Sequence, residues 1–413
     1  MLGTLIRRFT LRDRQPWAMF FGGETWAAKS VTPDTALQLG AVWACVRLIA
    51  QVVSTLPVGV YERLADGSRR SLPTHSVAQL LKGSPNLDQT PAEFLECMLA
   101  CLLLYGNAFA EKTITAGQVR ALTILHPELM SVRRLDDGAL QYVYADPRGQ
   151  QIFGEADIWH LKGFSLGGVV GLSPISFARQ SLATAMAADE VAGRTFANGM
   201  KPSGWLTYDK TLTPEQREQA RKALVEPYTG SGNVAKVGIL EAGFKWETVS
   251  IPSHDAELLA SRRWHVEEIA RWFHNVPPAL IGHAVEGVTQ WGSGTESLMR
   301  FWLTTGLDPL LVKIEQSMAR ALIASGERAT VYVEFVREGL LRADTVGRAE
   351  AYSKLIQVGA ITPNQIADRE NFPRFDGGDV HLVNSTLVPI HLAGQRAARV
   401  QPAPGDPIPE PAE

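Results

Sequence analysis

The chain has 413 residues, 45% hydrophobic and 20% charged, which is a globular composition long enough for two or three packed units. Lys and Arg total 40 against 43 for Asp and Glu, a net charge of −3. Proteins that grip nucleic acid place many cations on phosphates and are usually basic, so this chain either avoids nucleic acid or handles it without gripping it.

Cys45, Cys97 and Cys101 are too few and too odd in number for a disulfide framework. Cys97 and Cys101 sit four apart in FLECMLACLLLYGNAF and read as core residues of a buried helix in a chain kept in a reducing compartment. No apolar run reaches membrane-spanning length, because Glu96 and then Gly106-Asn107 limit the best candidate. The opening, MLGTLIRRFTLRDR, is basic but has no long apolar core, so a signal peptide is not expected.

Residues 1–34 show no periodicity and read as an arm. From Thr35 to Leu56, Val42, Cys45, Val46, Ile49 and Val53 recur at helical spacing, and Pro57 ends the run. VGVYERLADGSRR follows as a strand with an Asp66-Gly67 turn. Thr90-Pro91 with Glu93 opens a helix that Gly106-Asn107 breaks. Between Ala108 and His160 four short strands are expected: VRALTILH, SVRRLDDG, ALQYVYAD and ADIWHLKGF. The fold class is therefore α+β.

Ser173-Pro174 starts a long helix expected to run to Asn198-Gly199. Residues 201–252 form an insert, with a strand at Trp205–Tyr208, a capping box at Thr213–Gln216 and a hairpin beyond. A second long helix spans Ser253 to His274, with Leu259, Val266, Ile269, Phe273 and Val276 in one stripe and Arg263, Glu267 and Arg271 on another face. Two long helices around a compact insert imply an antiparallel stalk. A helix from Glu296 with a break at Gly306, a strand TVYVEF and helices from Arg342 and Thr362 follow. The Pro-rich tail after Gly394 reads as disordered.

Four features imitate catalytic or metal chemistry. Gly287 and Gly292 in GVTQWGSGTES have the glycine spacing of a phosphate cradle, but Ser293 stands where the lysine belongs and no buried strand precedes it. Gly163-Phe164-Ser165-Leu166-Gly167 matches a nucleophile elbow, yet the helix is deferred to Pro174, so a glycine-rich hinge fits better. His265 and Glu268 share a helix face, while His274 points elsewhere, and zinc needs three ligands. Asp376-Gly377-Gly378-Asp379, with Asp368 and Glu370 nearby, lacks the spacing of a calcium loop and reads as a polar turn. No catalytic, cofactor or metal site is expected.

The order of these blocks resembles the portal proteins of tailed bacteriophages, in their long-tailed branch. AVWACVRLIAQVVSTLPVGVYER (41–63), HSVAQLLKGSPNLDQTPAEFLE (75–96), LLYGNAFAE (103–111) and LHPELMSVRR (125–134) carry the first part. IWHLKGFSLGGVVGLSPISFAR (158–179), FANGMKPSGWL (196–206), EEIARWFHNVPPALIG (267–282) and the block 342–379 carry the rest.

The resemblance implies a portal-type fold: a wing at 35–173, stem helices at 174–200 and 253–276, and a clip at 201–252. A tunnel loop at 277–296, wing or crown helices and a strand at 297–341, and a crown at 342–394 complete it. It implies a twelve-subunit ring at one capsid vertex, made in the host cytoplasm and incorporated in the virion. Double-stranded DNA would pass through it non-specifically during packaging and ejection. Its implied partners are the terminase large subunit, a head-completion adaptor and the major capsid protein or scaffold. The channel residues would be Val285, Glu286, Gly287, Val288, Thr289, Gln290, Trp291, Gly292, Ser293 and Gly294. Partner contacts would come from Trp205, Tyr208, Lys236, Phe244, Lys245 and Trp246.

No Lys or Arg occurs in 272–299, which suits a conduit that must not hold its cargo. The alternatives are an NTPase or hydrolase using Gly287–Ser293 or Ser165, or another phage ring or adaptor protein.

Overall fold

The computed structural model describes residues 25–197, 204–207, 213–224, 245–248, 254–283, 293–337, 345–370 and 372–382. The chain divides into two compact units, Met1–Leu341 and Arg342–Glu413.

Among the described residues of the first unit, the first helices are α1 (Pro33–Ala36), where Thr32 and Thr35 cap one another, and α2 (Gly40–Ser54). The single helix expected from Thr35 is thus two, because residues 37–39 leave the helical path. Val42, Cys45, Ile49 and Val53 of α2 are buried, as their spacing requires. The hairpin β1 (Val58–Arg63) and β2 (Arg69–Ser71) follows, then α3 (Ser76–Lys82) and α4 (Pro91–Tyr105).

In α4 the Thr90 amide donates to Glu93 Oε2 (2.8 Å), and the Glu93 amide donates to Thr90 Oγ1 (3.3 Å). Phe94, Leu95, Met98, Leu99, Leu102, Leu103 and Leu104 are all buried, so this helix is apolar on most of its circumference. Cys101 is buried and Cys97 half-buried. Burial pushes the Cys45 thiol up to about 12.

Gly106 ends α4 in the left-handed region (φ 71), where a Cβ would overlap the carbonyl oxygen of Leu172. Six strands follow: β3 (Asn107–Thr115), β4 (Gln118–Leu125), β5 (Met130–Arg134), β6 (Leu140–Asp146), β7 (Gly149–Phe153) and β8 (Ile158–Lys162). They form two antiparallel sheets of order β4-β3-β8 and β5-β6-β7. Strands β3 and β7 were not expected from the sequence. Exposed polar positions thin the alternation at one end of β3 and over most of β7.

The helix expected at 174–199 is interrupted at Ala178, giving α5 (Pro174–Phe177) and α6 (Arg179–Ala197). Next come β9 (Gly204–Thr207), α7 (Pro214–Leu224), β10 (Lys245–Thr248) and α8 (His254–Trp272). The unit closes with α9 (Ser293–Trp302), α10 (Asp308–Leu322) and β11 (Val331–Phe335). The break expected at Gly306 is instead a π-helical turn, Leu303–Leu307, that joins α9 to α10.

Strand β11 pairs with β1 in the register Val60↔Val333, so late sequence completes an early sheet. The main core gathers Ile49, Met98, Trp159, Leu311, Ile314 and Val333; a smaller one gathers Phe109, Met130, Val132, Tyr142 and Ile158.

The second unit holds α11 (Thr345–Gln357) and α12 (Pro363–Glu370). Buried Asn364 donates from Nδ2 to the Phe375 carbonyl (3.1 Å) and Asp379 Oδ2 (3.0 Å), and its Oδ1 accepts from the Phe375 amide (3.1 Å). Residues 376–379 are therefore a turn stitched to α12, as the spacing of their carboxylates implied.

Candidate functional site

The candidate site is built on the pair α6 and α8. Ser181 Oγ donates to Glu268 Oε1 (2.7 Å), and Arg262 Nε donates to Asp189 Oδ1 (2.9 Å). As the number rises along α6 it falls along α8, so the helices run antiparallel. Ala183, Ala185 and Ala192 are buried on α6, and these small side chains allow close approach to the neighbouring helix. From the expected stripe of α8, Ile269, Phe273 and Val276 are buried and Val266 is half-buried; the side chain of Leu259 lies outside the described residues. His265, expected on a solvated or interfacial face, is buried, with Nε2 3.3 Å from Ser261 Oγ and Nδ1 3.9 Å from Glu268. Arg271 reaches Glu267 at 4.0 Å and lies over the Trp264 ring at 4.7 Å.

At one end of the pair, β9 and β10 form an antiparallel ladder that sets Trp205 opposite Glu247 and Trp246 opposite Leu206. Lys245 is on the same ladder, opposite Thr207. Tyr208, Lys236 and Phe244, expected as partner contacts, lie outside the described residues, as does the expected hairpin apart from Lys245–Thr248.

At the other end α8 turns through a strained corner. His274 and Asn275 both take positive φ (51 and 50), a conformation that carries a penalty for residues other than glycine. Three contacts hold it. The Val276 amide donates to the carbonyls of Ala270 and Phe273 (both 3.2 Å). Trp302 Nε1, on a fully buried ring, donates to the His274 carbonyl (3.2 Å). Gly306 packs so closely on that same carbonyl that a Cβ would overlap its oxygen. Burial lowers the His274 pKa.

Pro277 then leads into a 3-10 turn, Pro278–Ile281, closed by Gly282 (φ 79), whose amide donates to the Ala279 carbonyl (3.2 Å). His283 Nε2 stands 3.9 Å from Glu267 Oε1. Residues 284–292, which include Val285 to Gly292 of the expected channel loop, lie outside the described residues. Ser293 and Gly294 open α9. The longer excursion that contains that segment is thus closed at its base: the corner after α8 and the last residue of α9 are fastened through His274 and Trp302. The fastening by Trp302 was not legible in the sequence, since residues 28 apart give no local signal.

Ser165 is a brace rather than an exposed nucleophile: its Oγ donates to the carbonyls of Gly168 (3.4 Å) and Val170 (3.2 Å). The hinge containing it is tied down by Asn107, whose Oδ1 accepts from the Gly171 amide (2.7 Å) and whose Nδ2 donates to the Gly171 carbonyl (2.9 Å). His160 Nε2 lies 3.0 Å from Asn107 Oδ1, and Nδ1 lies 3.3 Å from the Tyr142 hydroxyl. Desolvation, aided by the Lys162 charge, pushes His160 down to about 3. Ser173 caps the next helix, and its Oγ donates back to the Leu104 carbonyl (2.8 Å). Among the described residues no three His, Cys, Asp or Glu side chains group as a metal site, and no helix is long and apolar enough to cross a membrane.

A family model for the phage portal protein matches residues 40–371. The portal protein of Enterobacteria phage HK97 is 36% identical over 364 residues, spanning 87% of this chain and 85% of that protein. The probable portal protein of Streptomyces phage phiC31 is 31% identical over 376 residues, 89% of this chain and 81% of that one. Among solved structures, a chain in the neck of a native gene transfer agent (GTA) particle, computed with C12 symmetry, superposes with a TM-score of 0.58 at 22% identity. That superposition covers 89% of this chain and 96% of the other.

Proposed function

The chain belongs to the phage portal protein family, and we propose that it works as a ring of twelve identical copies through which double-stranded DNA enters and leaves a capsid. On this reading α6 and α8 are the stem, the β9–β10 ladder belongs to the clip that meets terminase and then a head-completion adaptor, and residues 284–292 extend into the channel. The C12 symmetry of the neck that it superposes on supports the ring.

The observation that carries the reading is the clamped corner. A loop that touches moving DNA transmits force to its two ends, so those ends must be joined to each other and to the core. Trp302 and Gly306 supply that junction at the base of the excursion, on the His274 carbonyl, with α9 and the Pro278–Ile281 turn between it and the loop. The sequence between them and the stem is free of Lys and Arg from 272 to 299, which removes the phosphate contacts that would make passage strongly salt-dependent and sticky. A hydrolase reading has less support, because the Ser165 hydroxyl is committed to its own loop.

Electron microscopy of the purified protein is the first test. Rings with a central hole are expected, and monomers or dimers under all conditions would count against the reading. Deleting 286–294 is expected to leave ring assembly intact and to impair DNA packaging or retention. Normal genome filling by that variant would remove the channel role from the loop.

A further inference from the structure

Trp26 is 90% exposed, yet its backbone is fixed. Its amide donates to Gln180 Oε1 on α6 (3.1 Å). Thr25 Oγ1 accepts from the Lys29 amide (2.8 Å), the Ala28 amide donates to the Thr25 carbonyl (2.9 Å), and the Lys29 ammonium pairs with Glu190. A tight turn is thus pinned to α6 at two points, and it holds a bare indole in water. Tryptophan is the side chain most often found as a buried anchor between proteins, because it brings large apolar area at small entropic cost.

The same helix carries a recess. A cavity of ≈ 390 Å³ opens where the first turn of α2 meets α6 and α8, walled by Leu39, Ala41, Ala185 and Val266, with Asp189 and His283 also lining it. Pockets that hold small organic groups run from about 300 Å³ upward, so one indole fits. At 3.6 residues per turn Gln180 and Glu190, which hold the Trp26 turn, fall on one side of α6, and Ala185 and Asp189, which line the recess, fall on the other.

In a head-to-tail ring the surface that one copy offers is complementary to a different surface on the next, and an exposed anchor and a recess on opposite sides of one helix meet that condition. We infer that Trp26 of one copy seats in the cavity between α2, α6 and α8 of the adjacent copy. The inference rests on the ring reading given above.

The test replaces Trp26 with the photo-reactive residue p-benzoyl-phenylalanine in rings mixed from isotopically labelled and unlabelled chains. Illumination followed by peptide mass spectrometry is expected to give adducts between chains at residues 39–41, 185 or 266. Trp26→Ala is expected to raise the protein concentration at which rings dissociate on the order of 30-fold, with Trp26→Phe recovering part of the loss. Ala41→Phe, which fills the recess, is expected to weaken rings similarly while the isolated chain keeps its thermal unfolding midpoint. If wild-type protein forms rings but Trp26→Ala rings are equally stable and adducts fall within one chain, the ring reading stands and the anchor is overturned. If wild-type protein forms no ring, the ring reading fails and the anchor with it.

Discussion

The junction at His274 concentrates three unusual residues on one carbonyl. Trp302 donates to it, Gly306 makes room for it, and the chain carrying it sits in the left-handed region. Gly306→Ala is expected to cost about 1–3 kcal/mol, because the added methyl meets the His274 carbonyl and the fully buried Trp302 ring, neither of which can swing away. Trp302→Phe removes the donor and leaves a half-buried acceptor without it, a cost of about 1 kcal/mol. Urea unfolding midpoints check both, and losses within error of zero would show that the corner is not under load. His160 offers a pH test of a different kind. Its folded-state pKa, about 3, lies below the 6.5 of a free imidazole, so the unfolded chain takes up the proton first. The associated stability is fully present above 6.5 and declines as the pH falls from 6.5 toward 3. His160→Gln is expected to flatten that decline in urea titrations at stepped pH; an unchanged slope would assign the effect to other groups, among them His274, whose pKa is shifted in the same direction.

At the level of elements, local signals were read correctly where local physics decides. Thr90, Pro91 and Glu93 announced α4, and Gly106 ended it, because capping and the left-handed conformation are written in adjacent residues. The interruption at Ala178 was not legible: nothing in Ile175–Ser181 breaks helix by propensity, and the glycine at 193, a weaker former, lies inside the continuous α6. Nor was the π turn, since a glycine at 306 signals a break equally well until the opposing His274 carbonyl is in view. The pairing of α6 with α8 was inferable from the insert they flank, but not which side chains fasten it. Two fasteners of different strength now do. Arg262 and Asp189 are each nearly half exposed, so their coupling is expected at about 0.2–1 kcal/mol. Ser181 and Glu268 form a charge-assisted bond in a half-buried setting, where about 1.5–3 kcal/mol is typical. Ser181→Ala should therefore destabilise more than Asp189→Ala in thermal unfolding, and the reverse order would mean that the helix pair is held by its exposed edge.

For the molecule as a whole, the distribution of buried residues predicts how it comes apart. Among the described residues, those of the two buried apolar clusters all fall at or before Phe335, and the sheet joining β1 to β11 closes the first unit on itself. The second unit has a small buried set of its own, Ile361, Thr362, Asn364 and Ala367, with Asn364 stitching the turn to α12. A chain ending at Leu341 loses none of the main core, so it should still unfold in one cooperative transition, with a midpoint within a few degrees of that of the larger transition in the full chain. Scanning calorimetry of both chains decides it. The 413-residue chain should add a smaller heat-absorbing event for Arg342–Glu413, because that unit has far fewer residues and, among those described, buries far less apolar surface. Loss of cooperative unfolding in the shortened chain would mean that the carboxy-terminal unit completes the first core, and the division at Leu341 would then be one of geometry without energetic independence.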